Sequence, residues 1–207
     1  LRHLNVGFLA IAMALDVSLD AQDVILSEVR ADPAEHWVEI HNRGSSPADL
    51  STWSLYCSTN TVGMPQNYWW AFPSGTTVAP DSYIRVFWHE NAPAQVLPGE
   101  YYTGTSPYGY MFGLGGEALH GNAGALALIS SQQGSQMATA AHFVDWVSWG
   151  QHGFVRESLA IQNGTWSANR NAPSIPAGQS LARNAAVVGL TVTRDQEWFV
   201  DATPTPM

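Results

Sequence analysis

The sequence predicts an all-β chain folded as an antiparallel β-sandwich with two long loop insertions. Short runs rich in Val, Ile, Leu, Tyr and Trp recur near 24–29, 37–42, 52–57, 68–72, 83–88, 125–129, 143–149 and 179–183. Pro, Gly, Asn and Ser clusters separate them, which is the spacing of strands joined by turns. Several runs alternate with period two: Ile84, Val86 and Trp88 share one side, and Phe143, Val147 and Trp149 share another with Asp145 among them. No stretch beyond the N-terminal segment holds a helical period, which favours an all-β architecture.

Taken in order, Val24 to Val29 is a short apolar run that ends in the polar and Pro turn Ala31 to Ala34. Trp37 to His41 is the second strand, and Asn42-Arg43-Gly44-Ser45-Ser46-Pro47 turns the chain into a third at Leu50 to Leu55. An aromatic strand ends at Phe72, a Pro and Gly turn follows, and Tyr83 to Trp88 makes the fifth. Ala125 to Ile129, Phe143 to Trp149 and Gln179 to Arg183 complete the set. Ile25, Val38, Ile40, Leu55, Val86, Leu128 and Val147 are the expected buried residues. The insertions span about 89–121, rich in Pro, Gly and Tyr, and 151–178. Ordered loops this long often carry function.

Composition narrows the chemistry. The 207 residues suit one elaborated domain, and 45% hydrophobic content is enough for a core. Seventeen acidic residues face eight arginines, and the chain contains no lysine. A Walker A loop, a pyridoxal Schiff base and a Ser-x-x-Lys nucleophile all need that missing amine. A net charge of −9 argues against nucleic acid as a partner, because such binding relies on basic residues displacing phosphate counterions. Cys57 is the only cysteine, so no internal disulfide can form, and a free cysteine of this kind is expected in the core.

The N-terminus has a basic start at Arg2-His3 and an apolar run from Val6 to Leu15. That pattern predicts a signal peptide over residues 1–21, cleaved after Ala21, and a domain over 22–207. The run falls short of the roughly 20 apolar residues a membrane-spanning helix needs. The expected location is therefore secreted, periplasmic or cell-surface.

Six segments together resemble one family. Ile25, Ser27, Glu28 and Val29, then Glu39, Ile40 and Asn42, then Asp49, Leu50, Ser51, Trp53 and Leu55 are similar to the opening motifs of the lamin-tail domain. Phe72 to Pro80 with Tyr83 to Val86, Ala125 to Ile129, and Val144 to Gly150 resemble its middle segments. Gln179 to Arg183 and Trp198 leading into Ala202 to Pro206 are similar to the closing phrases of bacterial members. The resemblance implies an immunoglobulin-like sandwich and a non-enzymatic accessory role, since such members often accompany secreted hydrolases or nucleases. Animal members associate with nuclear and chromatin partners, an association that an acidic, lysine-free chain does not support.

Glu28, Glu39 and Asp145 stand in the family's motifs and all lie in strands. Calcium favours clustered carboxylates and is the one ion they would suit if they met on one sheet. The plainer reading, and the favoured one, is that each accepts hydrogen bonds from nearby turns or faces water. His3, His36, His41, His89, His120, His142 and His152 are scattered, with no His-x-x-x-His pair for zinc. Asn163-Gly164-Thr165 is a formal glycosylation sequon that reads as a turn in a bacterial chain. Trp37, Trp53, Trp146 and Trp198 occupy motif positions and are expected to be structural.

Two readings of function follow. The first, preferred, is an exported non-enzymatic binding or surface-attachment module. Its contact residues would be Tyr68, Trp69, Trp70, Tyr101, Tyr102, Tyr108 and Tyr110, aromatic side chains on two loops that suit a neutral glycan or a protein partner. Glu90 and Glu100 beside them disfavour anionic ligands. The alternative is a secreted hydrolase built by the insertions, with His120, His142 or His152 as base and Asp145 orienting it. The sequence leaves the oligomeric state open.

Overall fold

The computed structural model describes residues 23–32, 35–61, 64–88, 90–104, 119–188, 190 and 193–204. The strands are β1 (Val24–Asp32), β2 (Glu35–Asn42), β3 (Ala48–Asp49), β4 (Ser54–Thr61), β5 (Met64–Ala71) and β6 (Thr77–Val78). They continue with β7 (Ser82–Phe87), β8 (Glu100–Tyr102), β9 (Gly124–Ile129), β10 (Phe143–Trp149), β11 (Ser180–Arg183) and β12 (Trp198–Asp201). A helix, α1 (Glu157–Asn163), lies between β10 and β11. A six-stranded sheet in the order β12-β11-β1-β2-β7-β8 faces a four-stranded sheet in the order β10-β9-β4-β5. A short β3-β6 ladder stands apart, and among the described strands every pairing is antiparallel except β7 with β8.

Period-two alternation decides which side chains meet between the sheets. Val29, Val38, Ile40, Ile84, Val86 and Leu181 face inward from the larger sheet, and Leu55, Cys57, Leu126, Leu128 and Val147 from the smaller, all in one buried cluster. All seven residues expected to be buried are 5% exposed or less. Ile25, Trp37, Glu39, His41, Arg85 and Phe87 alternate with the inward set and occupy the other face of the larger sheet. A bulge between Leu26 and Glu28 adds one residue at Ser27 and resets the alternation of β1.

Both insertions depart from the expectation of loops. The first contributes β8, which runs parallel to β7 and extends the larger sheet. The second becomes a third layer. Tyr56, Ala125, Ala127 and Trp146 lie on the side of the smaller sheet that faces away from the sandwich, yet all are buried. They belong to one apolar cluster with Phe154, Ala160, Trp166 and Ala172 of the insertion. The Arg156 guanidinium lies over the Tyr56 ring, 4.6 Å from its centroid. Arg156 Nη1 donates to Met137 O at 3.0 Å, and Asn163 Nδ2 donates to Phe143 O. The segment thus bonds to the β9–β10 connection and to the start of β10. Ala172 N also donates to Ser148 O at 2.7 Å and Ala172 O accepts from Gly150 N at 3.0 Å, a strand-like bridge to the edge of β10.

Candidate functional site

The aromatic stretch of β5 divides by pleat. Tyr68 and Trp70 point between the sheets and are 4% and 5% exposed, so they are core side chains rather than surface ones. Trp69 points to the opposite face and is partly buried against the same apolar cluster. The two segments do meet: Trp70 and Tyr101 stand 6.2 Å apart, and Phe72 lies 4.8 Å from Trp70. That contact is interior packing at the end of the sandwich. Tyr102 instead stacks on Phe87 at 4.6 Å on the outer face, its hydroxyl donating to Glu100 Oε2 at 3.1 Å. Tyr68, Trp69, Trp70, Tyr101 and Tyr102 therefore do not form one flat platform, because successive strand residues face opposite ways. Tyr108 and Tyr110 lie outside the described residues.

Of the three carboxylates, two stay together and Asp145 stands apart. Glu28 and Glu39 are cross-strand partners on the outer face of the larger sheet. Glu28 Oε1 accepts from Ser180 Oγ at 2.5 Å and Glu39 Oε1 from Ser27 Oγ at 3.0 Å. Arg85 Nη2 is 3.5 Å from Glu39 Oε2, and its guanidinium lies 4.4 Å over the Trp37 ring. Burial pushes the Glu39 carboxyl up from its ordinary value, against the pull of Ser27 and Arg85. Asp145 points the other way, between the sheets. Its Oδ2 accepts from Leu26 N at 2.8 Å and from Arg183 Nη1 at 2.5 Å, and its Oδ1 from Trp146 N at 2.9 Å. Among the described residues, no group of three His, Cys, Asp or Glu side chains is placed to hold a metal ion.

Asp145 is part of a buried ionic node that sequence reasoning missed. Arg183 Nε and Nη2 donate to Glu197 Oε2 at 2.8 and 2.5 Å, and Arg194 Nη1 to Glu197 Oε1 at 2.9 Å. Arg183 Nη1 also reaches Leu26 O at 3.4 Å. Desolvation works against the Arg183 charge, but Asp145 and Glu197 outweigh it and hold the guanidinium above its ordinary range. The node joins β1, β10 and β11 with the turn that leads into β12. Its signal was present in the Gln179 to Arg183 segment, but nothing in the sequence tells which carboxylates an arginine will find.

The histidines are dispersed. His142 Nδ1 is 3.4 Å from Ser130 Oγ, and His152 is exposed. His41 Nε2 is 3.2 Å from Asp81 Oδ1, and its ring stacks on Tyr83 at 4.0 Å. Burial lowers its pKa, against Asp81, which raises it. The Asp145 oxygens are taken up by Arg183 and two backbone N–H groups, and none of their hydrogen bonds goes to His120, His142 or His152. His3 and His89 lie outside the described residues. Cys57 is buried in the core, and the amide of Asn163, the sequon residue, is bonded to β10.

His36 and His120 share a cavity of about 410 Å³ at one end of the sandwich. Ala31, Leu119, Gly121, Asn122, Ile175 and Ala177 form the rest of its described wall. The site joins the end of β1, the start of β2, the approach to β9 and the approach to β11. No single motif marks it.

No match is found among curated proteins. Among solved structures, a DUF4876 family protein from Bacteroides thetaiotaomicron is similar, with a TM-score of 0.47 and 13% identity. The similarity covers 79% of this chain and 62% of that one, so the chain spans less than two thirds of that protein's length. Residues 18–151 match the Lamin Tail Domain family, from before β1 to just past β10. With well over half its length matched, on a two-sheet antiparallel sandwich with this core, the chain belongs to the lamin tail domain family.

Proposed function

We propose that the chain is an exported, non-enzymatic module for binding or surface attachment. The observation that carries the reading is the family match on a sandwich whose buried acid, Asp145, serves a structural node. An acid that orients a catalytic base must hydrogen-bond to it, and Asp145 spends its oxygens on Arg183 and the backbone. The basic start and apolar run of residues 1–21 support export. Among the described residues no helix is long and apolar enough to cross a membrane. A neutral glycan or a protein surface is the expected partner, since acidic residues outnumber basic ones in the chain.

Two experiments test the reading together. Mass spectrometry of protein recovered from its native host checks for an N-terminus at Gln22 in the exported fraction. An intact N-terminus on cytosolic protein would end the export reading. Co-sedimentation with insoluble neutral polysaccharides, with and without calcium, checks binding, and the supernatant is assayed for released sugar. Trp69 and Tyr102 keep partial exposure on different faces, so a change in Trp fluorescence lost in Trp69→Ala would place the contact on the smaller sheet. Steady release of soluble product would instead favour the hydrolase alternative.

A further inference from the structure

We propose that the cavity bounded by His36 and His120 is a ligand site for a small neutral molecule with an aliphatic face and an amide or hydroxyl edge, the chemistry of an N-acetylated sugar residue. Its volume of about 410 Å³ falls in the range of small-molecule sites, which run from roughly 300 to 1,000 Å³.

The walls are preformed. Ile175 N donates to Gly121 O at 2.8 Å, and Trp149 Nε1 donates to His120 O at 2.8 Å. Ser174 Oγ donates to Asn122 O at 3.0 Å, and Gly178 N donates to Asp32 Oδ2 at 2.5 Å. A Cβ on Gly121 would fall 2.3 Å from Ile175 O, so the two wall segments can close together only at a glycine. Both neighbours of the mouth are thereby fixed before any ligand arrives, which lowers the ordering cost of binding.

The lining selects the ligand class. Ala31, Leu119, Ile175 and Ala177 offer methyl and methylene contact, while His36, His120 and Asn122 bring polar side chains. Imidazole nitrogens and the Asn amide can donate or accept hydrogen bonds, a combination that matches acetamide and hydroxyl groups. No Asp, Glu, Lys or Arg stands in the described wall. An ionic ligand would lose hydration there without a countercharge. The charges just outside are carboxylates, Asp32 on Gly178 N and Glu90 on His36 N, which disfavour anions further. Burial of the apolar face supplies affinity, and the polar groups supply orientation.

This site names a ligand for the binding-module reading and rests on it. The probe is N,N′-diacetylchitobiose, titrated against the full chain while the imidazole C–H resonances are followed by NMR, with cellobiose and acetate in parallel. The expected result is saturable shifts at His36 and His120, none at His142 or His152, and no response to acetate. Ala177 is exposed at the mouth, so Ala177→Trp blocks the cavity without touching the core. It is expected to weaken binding by at least about tenfold while leaving the melting curve unchanged. His120→Ala, which keeps the backbone carbonyl bonded to Trp149, should weaken binding likewise. An absence of shifts at His36 and His120 overturns the proposal, as does binding that survives Ala177→Trp. Cellobiose binding equal to chitobiose also overturns the N-acetyl assignment. Cleavage of the chitobiose would overturn the non-enzymatic reading and leave the site standing, so the two failures are separable.

Discussion

Replacing Arg183 with Met tests the ionic node most directly. Arg183 is 3% exposed at its side chain and is the cation shared by Asp145 and Glu197, themselves 5% and 0% exposed. Met fills the aliphatic stem and removes the charge, leaving buried Asp145 without its cation and Glu197 with the part-exposed Arg194. Breaking a buried pair on one side costs about 3–5 kcal/mol, because the orphaned charge stays desolvated. For a chain of this size that lowers the melting midpoint by about 6–20 °C. Urea denaturation and differential scanning calorimetry of the single variant measure the loss. A triple variant, Arg183→Met with Asp145→Leu and Glu197→Leu, removes the buried charges together, leaves the part-exposed Arg194, and should recover part of it. Recovery stays incomplete, since Leu26 N and Trp146 N lose the acceptor Asp145 gave them, at about 1–3 kcal/mol for an unsatisfied buried donor. A single-variant loss below about 1 kcal/mol, the size expected of an exposed pair, would refute a desolvated node. A triple variant less stable than the single would refute the charge-desolvation account of its cost.

Gly150→Ala should cost at least about 2 kcal/mol, because φ is +73° and a Cβ would fall 1.8 Å from Asn122 O. Gly153→Ala is the control, with φ of +85° but no atom within 4 Å, so equal losses in the two by urea titration would refute the close-approach account. His41 has a folded-state pKa lowered from 6.5 by burial, so the unfolded chain binds its proton first. Its contribution is present above pH 6.5 and is lost as pH falls through the lowered value; groups in contact or coupled are Asp81, Arg43 and Tyr83. His41→Gln should flatten that part of the stability profile, and an unchanged slope would refute the assignment. Asn42→Asp should cost roughly 2–5 kcal/mol by thermal melt, because Asn42 Nδ2 donates toward Ser46 O, Val78 O and Ala79 O at 2.8, 3.0 and 3.2 Å and a carboxylate cannot.

Where alternation was strong, the chain was legible. β2, β7 and β10 carry apolar residues at alternate positions (Val38 and Ile40; Ile84 and Val86; Phe143, Val147 and Trp149), and each was placed within a residue or two of its observed start or end. β3 and β6 have two residues each, too short to show a period. β8 is held by parallel pairing with β7, a contact that Glu100-Tyr101-Tyr102 alone does not announce. α1 has seven residues and follows Arg156 in a left-handed conformation with no side-chain cap, so neither length nor the usual start signal marks it. A trace of the third layer did exist: Ala125 and Ala127 alternate with Leu126 and Leu128, and small residues on one face allow close approach by another layer. The partners of the carboxylates were not legible for a different reason. The bulge at Ser27 and the sheet partners decide which way Glu28, Glu39 and Asp145 point, and neither is written in their own spacing.

The family match ends at residue 151, one residue after β10's closing glycine, yet the molecule does not end its fold there. A fragment cut at that point would bare the edge of β1, where Val29 and Arg30 now pair with Leu181 and Ser180. It would also uncover Tyr56 and Trp146 on the far side of the smaller sheet. An open strand edge beside a fresh apolar face is a template for self-association. The boundary by which the domain is recognised and the boundary at which it can be cut free are therefore different places on this chain. A partner gene, a tag or an engineered fusion must respect the second, joining after Asp201 rather than after Gly150.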